Sequence, residues 1–379
     1  MGDYVRQLPP ESAVFSQPPG AIMRLHIDVP LLILLLALTL IGLAVLYSAS
    51  GEQMSAVVRQ GRYFMLAYVV MMGAAQISLA QLARWAPWFY AAGIVFLVAV
   101  LFVGVGAKGA QRWLSIGGIR FQPAEIMKLA VPLTIAWYLA DRILPPRFRY
   151  IIVATLTIGL PALLIMRQPD LGTALLIAAS GLFVLFMAGV GWRYIFGSVL
   201  LAVASAWPVW TFVLKGYQKQ RILTMLNPES DKLGAGWNII QSKTAIGSGG
   251  WSGKGWLHGT QSRLDFLPES HTDFIIAVLG EEFGLRGVLA LLSIYLLILL
   301  RGFWIGIHAQ SSFGQMVAGS ITLTFFVYIF VNMGMVAGLL PVVGVPLPLI
   351  SAGGTSIVTL MAGFGILMAI STETPMVAR

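Results

Sequence analysis

Residues 29–48 run for twenty positions without one charged side chain. About 20 apolar residues cross a bilayer core as an α-helix. In lipid the backbone polar groups must be bonded internally, and a run of this length without strand-like alternation does that as a helix. The pattern recurs near 63–80, 87–106, 123–140, 150–166, 172–190, 193–213, 285–306, 315–340 and 350–371, each run bounded by charges, Pro or Gly. The fold class that follows is all-α: a polytopic integral membrane protein with about ten transmembrane helices. Composition points the same way, since the chain is 58% hydrophobic and 10% charged, against roughly 25% charged in a soluble domain. A water-facing single-core enzyme, a disordered chain, a coiled coil and a secreted disulfide scaffold are excluded. With no cysteine and only four scattered histidines, thiolate chemistry and a zinc cluster are excluded too, and no metal-ligating residues are assigned.

The runs divide the chain into a polar tail over 1–28, a membrane domain over 29–371 and a short tail over 372–379. Ser48-Ala49-Ser50 has the small residues of a signal-peptidase site, but the apolar run before it is too long for a signal peptide. The first span therefore reads as an uncleaved anchor. Ten passes leave both tails on one side of the membrane. The single long break, 214–272, is a large loop on the other side. It is rich in glycine and flanked by two short amphipathic pieces, 217–226 and 236–246, of the kind that lie in an interface plane.

Net charge is +9, from 24 basic and 15 acidic residues. In a soluble chain that balance would suggest nucleic acid; here it points to lipid headgroups or a polyanionic substrate. Nine arginines fall on the side of the tails and the other fifteen cations on the loop side, seven of them in the large loop. Without that loop the score is nine to eight, so the positive-inside rule does not set orientation. Something other than topology placed cations on the loop side.

Charged residues inside apolar runs are costly and mark function by default. Four groups stand out. In Arg120-Phe121-Gln122-Pro123-Ala124-Glu125-Ile126-Met127-Lys128, Pro123 suits a first helical turn and Glu125 its positive end, with Lys128 on the same face. That is a helix start with a local ion pair, or a lysine awaiting an anion. In Gln168-Pro169-Asp170-Leu171-Gly172, Asp170 reads as the cap of the sixth span. In Pro268-Glu269-Ser270-His271-Thr272-Asp273-Phe274, Ser270 and Asp273 fit a loose capping box, or Asp273 is a general base at the loop–membrane junction. The segment after it is interrupted by Gly280-Glu281-Glu282-Phe283-Gly284, a broken helix of the sort that lines a cavity, where Glu282 and Arg286 have the spacing of a helical ion pair. Finally, Pro346-Leu347-Pro348 with Gly353-Gly354 makes a shaped turn whose glycine amides offer an anion site or a plain turn. Gly253-Lys254-Gly255 imitates a phosphate loop but lacks the required Gly at 248 and Ser or Thr at 255.

Together with Gln111-Arg112-Trp113, Leu267-Pro268-Glu269 and the loop text Gly255-Trp256-Leu257-His258-Gly259-Thr260-Gln261, these motifs resemble the SEDS family (shape, elongation, division, sporulation), and its elongation rather than its division branch. The resemblance covers nearly the whole chain. It implies a multi-pass protein of the bacterial inner membrane, with both termini cytoplasmic and the large loop extracytoplasmic. The implied activity is peptidoglycan glycosyltransfer: lipid II is polymerised into β-1,4-linked strands with inversion, and undecaprenyl diphosphate leaves. The resemblance puts the catalytic base at Asp273 and substrate contacts at Arg59, Trp113, Arg120, Glu125, Lys128, Asp170, Glu269, His271 and Thr272. The implied partners are lipid II, the lipid-linked strand, the bilayer and a class B penicillin-binding transpeptidase, with no nucleic acid. A divalent cation, Mg or Mn, is compatible with such a reaction, although the sequence offers no cage for it. One departure is visible: Ala352 stands where the family usually has tyrosine. A lipid II flippase and a morphogenetic scaffold are the alternatives that composition leaves open.

Overall fold

The ten apolar runs become ten helices of the membrane domain. The computed structural model describes residues 25–107, 110–116, 119–231, 234–260 and 270–373. Residues 1–24 and 374–379 of the two expected tails lie outside the described residues. The α-helices are α1 (Val29–Ala49), α2 (Met54–Ala75), α3 (Leu79–Val103), α4 (Pro123–Ala140), α5 (Phe148–Arg167), α6 (Leu171–Met187), α7 (Trp192–Pro208), α8 (Gly216–Leu226), α9 (Ala235–Gly249), α10 (Ile275–His308), α11 (Ser312–Val336) and α12 (Thr355–Ser371). α8 and α9 are the two amphipathic pieces of the large loop. Six of the described helices, α1, α3, α5, α7, α10 and α11, are long and apolar enough to cross a membrane by themselves. α6 and α12 are apolar but shorter. α2 carries Arg59 and Arg62, and α4 carries Glu125 and Lys128, charges that lower their hydropathy and mark them as more than anchors.

Local chemistry sets the helix starts. Asp28 Oδ1 accepts from Leu31 N (3.1 Å) at α1, Ser311 Oγ from Gly314 N (3.2 Å) at α11, and Asp170 Oδ1 from Thr173 N (3.2 Å) at α6, each satisfying a backbone donor the helix cannot. Arg301 holds Asp28 through two contacts of 3.1 and 2.7 Å, which ties α10 to the start of α1. Some boundaries differ from the hydropathy runs. α2 begins at Met54, not 63, because Arg59 and Arg62 are on the helix rather than before it. α3 begins at Leu79 behind the Ser78 cap, and Pro87 sits inside it without ending it.

Between α3 and α4 the chain forms a small antiparallel meander, β1 (Val105–Ala107), β2 (Ala110–Ile116) and β3 (Ile119–Phe121). It places Trp113 opposite Val105 and Arg120 opposite Ser115. In the bundle α2 packs on α12, α4 on α3 and α6, α11 on α6 and α10, and α9 on α10. α4 is buried on almost every face, whereas α7 has no buried residue.

The expected break before the eighth span is a kink inside α10 at Gly284, whose φ of 63° lies in the left-handed region. The break does not face an empty cavity. The glycine-rich strand of the large loop lies across it and takes up the backbone groups the kink frees. Lys254 N donates to Glu281 O (3.0 Å) and Gly255 N to Glu282 O (2.9 Å), while Gly250 O accepts from Leu285 N (2.9 Å). Lys254, the lysine of the false phosphate loop, puts its ammonium 2.7 Å from the buried Glu281 carboxylate. Glu282 accepts from Ser48 Oγ of α1 instead of pairing with Arg286: a buried carboxylate takes the buried donor rather than an exposed neighbour on its own helix.

Candidate active site

Alternating passes put the ends of α1, α3, α5, α7 and α11 and the starts of α2, α4, α6, α10 and α12 at one end of the bundle, together with the sheet and the large loop. The residues singled out from the sequence gather at that end.

Asp273 lies in the turn immediately before α10. The capping reading is not met, because the N-cap of α10 is Phe274, without a side-chain cap bond. The turn is instead tied from three directions. Ser270 Oγ donates to Ala49 O at the end of α1 (3.2 Å). His271 O accepts from Ala352 N (2.9 Å). Asp273 O accepts from Asn332 Nδ2 of α11 (2.8 Å), and the same nitrogen donates to Val345 O (2.8 Å). Asn332 is fully buried, so both bonds form away from water, where an unmade bond is most costly. The Asp273 side chain is half-buried. A Cβ at Gly344 would stand 3.6 Å from its Oδ2, so glycine at that position, with φ of +74°, leaves the carboxylate uncovered from that side.

The proline-rich segment 341–354 is the hub of these ties. Tyr295 Oη donates to Pro348 O (2.7 Å) and Leu347 N to Ser351 Oγ (2.8 Å). Gln60 of α2 donates to Ser351 O (3.2 Å) and accepts from Gly353 N (3.4 Å). The Gly353 amide, a sequence candidate for an anion site, is thus taken by Gln60. Ala352 packs half-buried against the core.

The second group is the ion pair in the first two turns of α4, with Lys128 Nζ 2.6 Å from Glu125 Oε1 and both side chains buried. Lys128 also stands 5.1 Å from the centroid of the Tyr328 ring. Tyr328 is one turn before Asn332 on α11, so one helix face connects the ion pair to the Asp273 turn. Glu125, Lys128, Thr324, Tyr328 and Ser356 line a small pocket inside the domain.

The third group is centred on Asp170. It caps α6 as the sequence suggests, and it also accepts from Gln122 Nε2 (3.1 Å) and pairs with Arg112 (3.6 Å). Arg112 donates in turn to Pro169 O (2.6 Å), which fastens the sheet to the start of α6. Gly172 lets that start pack on the proline-rich segment, since a Cβ there would come within 2.9 Å of Val343 O.

The remaining candidates surround these groups. Arg59 and Arg120 are exposed, and none of the ion pairs among the described residues includes them. Trp113 and Thr272 are half-buried and His271 is exposed. Glu269 lies outside the described residues. Among the described residues no three His, Asp or Glu side chains converge to hold a metal ion, so no resident cation site is assigned. Three contributors escaped the sequence reading: Asn332, Gln60 and Tyr328. A lone asparagine late in the apolar run 315–340 was the available signal.

Comparison with known proteins bears on this geometry. The FTSW_RODA_SPOVE profile, described as cell cycle protein, matches residues 29–376. Escherichia coli K12 peptidoglycan glycosyltransferase MrdB is 51% identical over 356 residues, covering 94% of this chain and 96% of that protein. A probable peptidoglycan glycosyltransferase FtsW from Trichlorobacter lovleyi is 37% identical over 360 residues, 91% of this chain and 93% of its own. Among solved structures, a chain from a study of polymerization and crosslinking by a peptidoglycan synthase complex superposes with a TM-score of 0.79 at 29% identity, covering 91% of this chain and 97% of that chain. The Thermus thermophilus rod shape determining protein RodA does so with a TM-score of 0.69 at 26% identity, over 91% and 96% of the two chains.

Proposed function

This chain belongs to the FTSW_RODA_SPOVE family of cell cycle proteins, and we propose that it is a RodA-type peptidoglycan glycosyltransferase that polymerises lipid II into the glycan strands of an elongating cell. The observation that carries the residue-level reading is the mounting of Asp273. Its carboxylate is half-buried at the loop end of the bundle, on a turn tied to Ala49 of α1, Ala352 of the proline-rich segment and Asn332 of α11.

In this reading Asp273 takes the proton from the 4-hydroxyl of the acceptor GlcNAc. That oxygen attacks the anomeric carbon of the MurNAc at the donor end, and undecaprenyl diphosphate leaves. An α-linked donor giving a β-1,4 product requires one displacement with inversion, hence one base and no covalent intermediate. Charge grows on the diphosphate as the bond breaks, and cations placed there lower the barrier. Arg59 and Arg120, exposed and unpaired among the described residues, suit that task. Lys128 already has its charge offset by Glu125 at 2.6 Å; its part is to fix Tyr328, and through α11 the mount of Asp273. Asp170 acts by holding Arg112 and the sheet that presents Trp113 and Arg120. His271 and Thr272, beside the base, are assigned to contact the sugar.

The protein is a multi-pass membrane protein. Its place in the inner membrane with the loop end outward and both tails cytoplasmic, and its pairing with a class B penicillin-binding transpeptidase, complete the proposal. The test is polymerisation of fluorescent lipid II in detergent by the purified chain with its cognate transpeptidase, the latter blocked by a β-lactam. Detergent removes sidedness, so flipping contributes nothing. A ladder of glycan products from wild type, lost in a folded, partner-bound Asp273→Asn complex, is the expected result. No ladder from intact wild type across several divalent cations would transfer the assignment to a flippase or a scaffold.

A further inference from the structure

At the end of the bundle opposite Asp273, two short links carry a cluster that the glycosyltransferase reading does not use. The link between α4 and α5 supplies Arg142 and Arg147 and leads into Arg149 on the first turn of α5, and the link between α6 and α7 leads into Arg193. All four are exposed, and no ion pair among the described residues reaches them. Asp141 is the only carboxylate in the two links. Three of the four guanidiniums, those of Arg142, Arg149 and Arg193, are held by aromatic rings rather than by acids. Arg149 lies 4.7 Å from the Tyr150 centroid and donates to its hydroxyl (2.7 Å). Arg193 does the same with Tyr194 (4.7 and 3.0 Å), and Arg142 lies 5.2 Å from Tyr150. Phe148 stacks on Tyr194 at 5.7 Å and 15°, which brings the two links together. Rings orient these groups without spending their positive charge.

Directly inward from this cluster, a groove of about 390 Å³ runs between α5, α6 and α7. Its walls include Ile151, Thr155, Leu182, Phe186, Ile195 and Ser198, and Tyr194 is shared between groove and cluster. α7 forms one wall although none of its residues is buried by protein. An apolar groove alone would accept any acyl chain. The cations at its mouth narrow the choice, because guanidinium forks match phosphate oxygens and basic pockets between membrane helices select anionic headgroups.

We propose that this groove is a specific site for an anionic glycerophospholipid. The phosphate rests on Arg147, Arg149 and Arg193, and an acyl chain fills the groove and packs α7 against α5 and α6. The alternation of passes puts the site at the leaflet away from Asp273, so it is separate from the sugar-transfer end and does not depend on that assignment.

The test uses the full-length chain in neutral detergent. It is titrated separately with phosphatidylglycerol, phosphatidylcholine and undecaprenyl phosphate, and followed by native mass spectrometry and thermal melting. Phosphatidylglycerol is expected to bind at low stoichiometry and raise the melting temperature, and phosphatidylcholine to do neither. Arg147→Gln, Arg149→Gln and Arg193→Gln together should weaken phosphatidylglycerol by about a hundredfold, roughly fivefold per cation. Thr155→Trp with Ser198→Trp, which fills the groove and keeps every cation, should also abolish binding. Should the triple variant fail to fold, Arg193→Gln alone is read for its fivefold loss. Equal binding of phosphatidylcholine would overturn the proposal, as would undecaprenyl phosphate bound in preference to phosphatidylglycerol, or full affinity in the charge variants.

Discussion

Replacing Asn332 by leucine separates how firmly the proposed base, Asp273, is mounted from how stable the fold is. The Asn332 side-chain nitrogen donates to Asp273 O and Val345 O at 2.8 Å each, in a site with no exposure. Leucine has the same branching and no donor, so both carbonyls lose the Asn332 amide. Each buried group left unsatisfied costs about 1–3 kcal/mol. Against that, Asn332 Oδ1 is itself buried without a partner in the structure, and removing it returns about as much as one of those penalties. The net destabilisation is therefore about 1–3 kcal/mol, which leaves the protein folded. The effect on chemistry is larger. A base displaced by about 1 Å loses on the order of a hundredfold in rate, and the Asp273 turn has lost the tie nearest its carboxylate. The assay is lipid II polymerisation at saturating substrate by the partner-bound complex, with thermal melting alongside. A fall in kcat near a hundredfold, with KM within about threefold and a small melting shift, is expected. Turnover within about twofold of wild type from a folded Asn332→Leu protein would refute the mounting argument. So would a kcat loss that merely tracks unfolding.

Three further outcomes follow from the buried contacts. Glu125→Gln or Lys128→Met alone leaves one buried charge unpaired and should cost about 3–5 kcal/mol, whereas the double variant should melt closer to wild type than either single; a melting series on the three proteins checks this. Gly284→Ala places a Cβ 2.7 Å from Trp251 O at a positive φ, and should lower the melting temperature by the equivalent of at least about 1–2 kcal/mol. Glu281→Gln weakens the contacts to Lys254 Nζ (2.7 Å) and Thr260 N (2.9 Å), so the loop strand over the kink should become cleavable in limited proteolysis while the membrane helices stay intact.

The parts that were legible in the sequence are those with a local cause. Charge-free runs specify helices because lipid leaves the backbone no other partner, and the Gly280–Gly284 interruption marked a real break. Asp170 was readable as a cap because its acceptor is three residues away. The sheet was not readable, because its strands are three to seven residues long and show no sustained alternation. Contacts across the chain were also hidden. Glu282 has Arg286 at helical spacing, yet its hydrogen bond goes to Ser48, 234 residues away. Gln60 reaches Ser351 across 291 positions. Local spacing offers such pairs an option but says nothing of burial, and burial decides which partner a polar group takes.

That asymmetry bears on how a membrane domain mounts a reactive group. Water is scarce between the helices, so most buried donors are matched by protein, and each match adds rigidity. Asn332, Gln60 and Tyr295 spend their donors on main-chain carbonyls of the Asp273 turn and the proline-rich segment, not on one another. They fix backbone and leave the Asp273 side chain half-exposed. The cations divide in the same way. Lys128 is buried and matched by Glu125, so its field at a distance is that of a dipole, whereas Arg59 and Arg120 keep whole charges at the surface. In the proposed function, attraction to a lipid-linked diphosphate therefore falls to the arginines. Truncating Arg59 or Arg120 should weaken capture of that anion and flatten its salt dependence, while truncating Lys128 should damage the mount and leave the salt dependence unchanged.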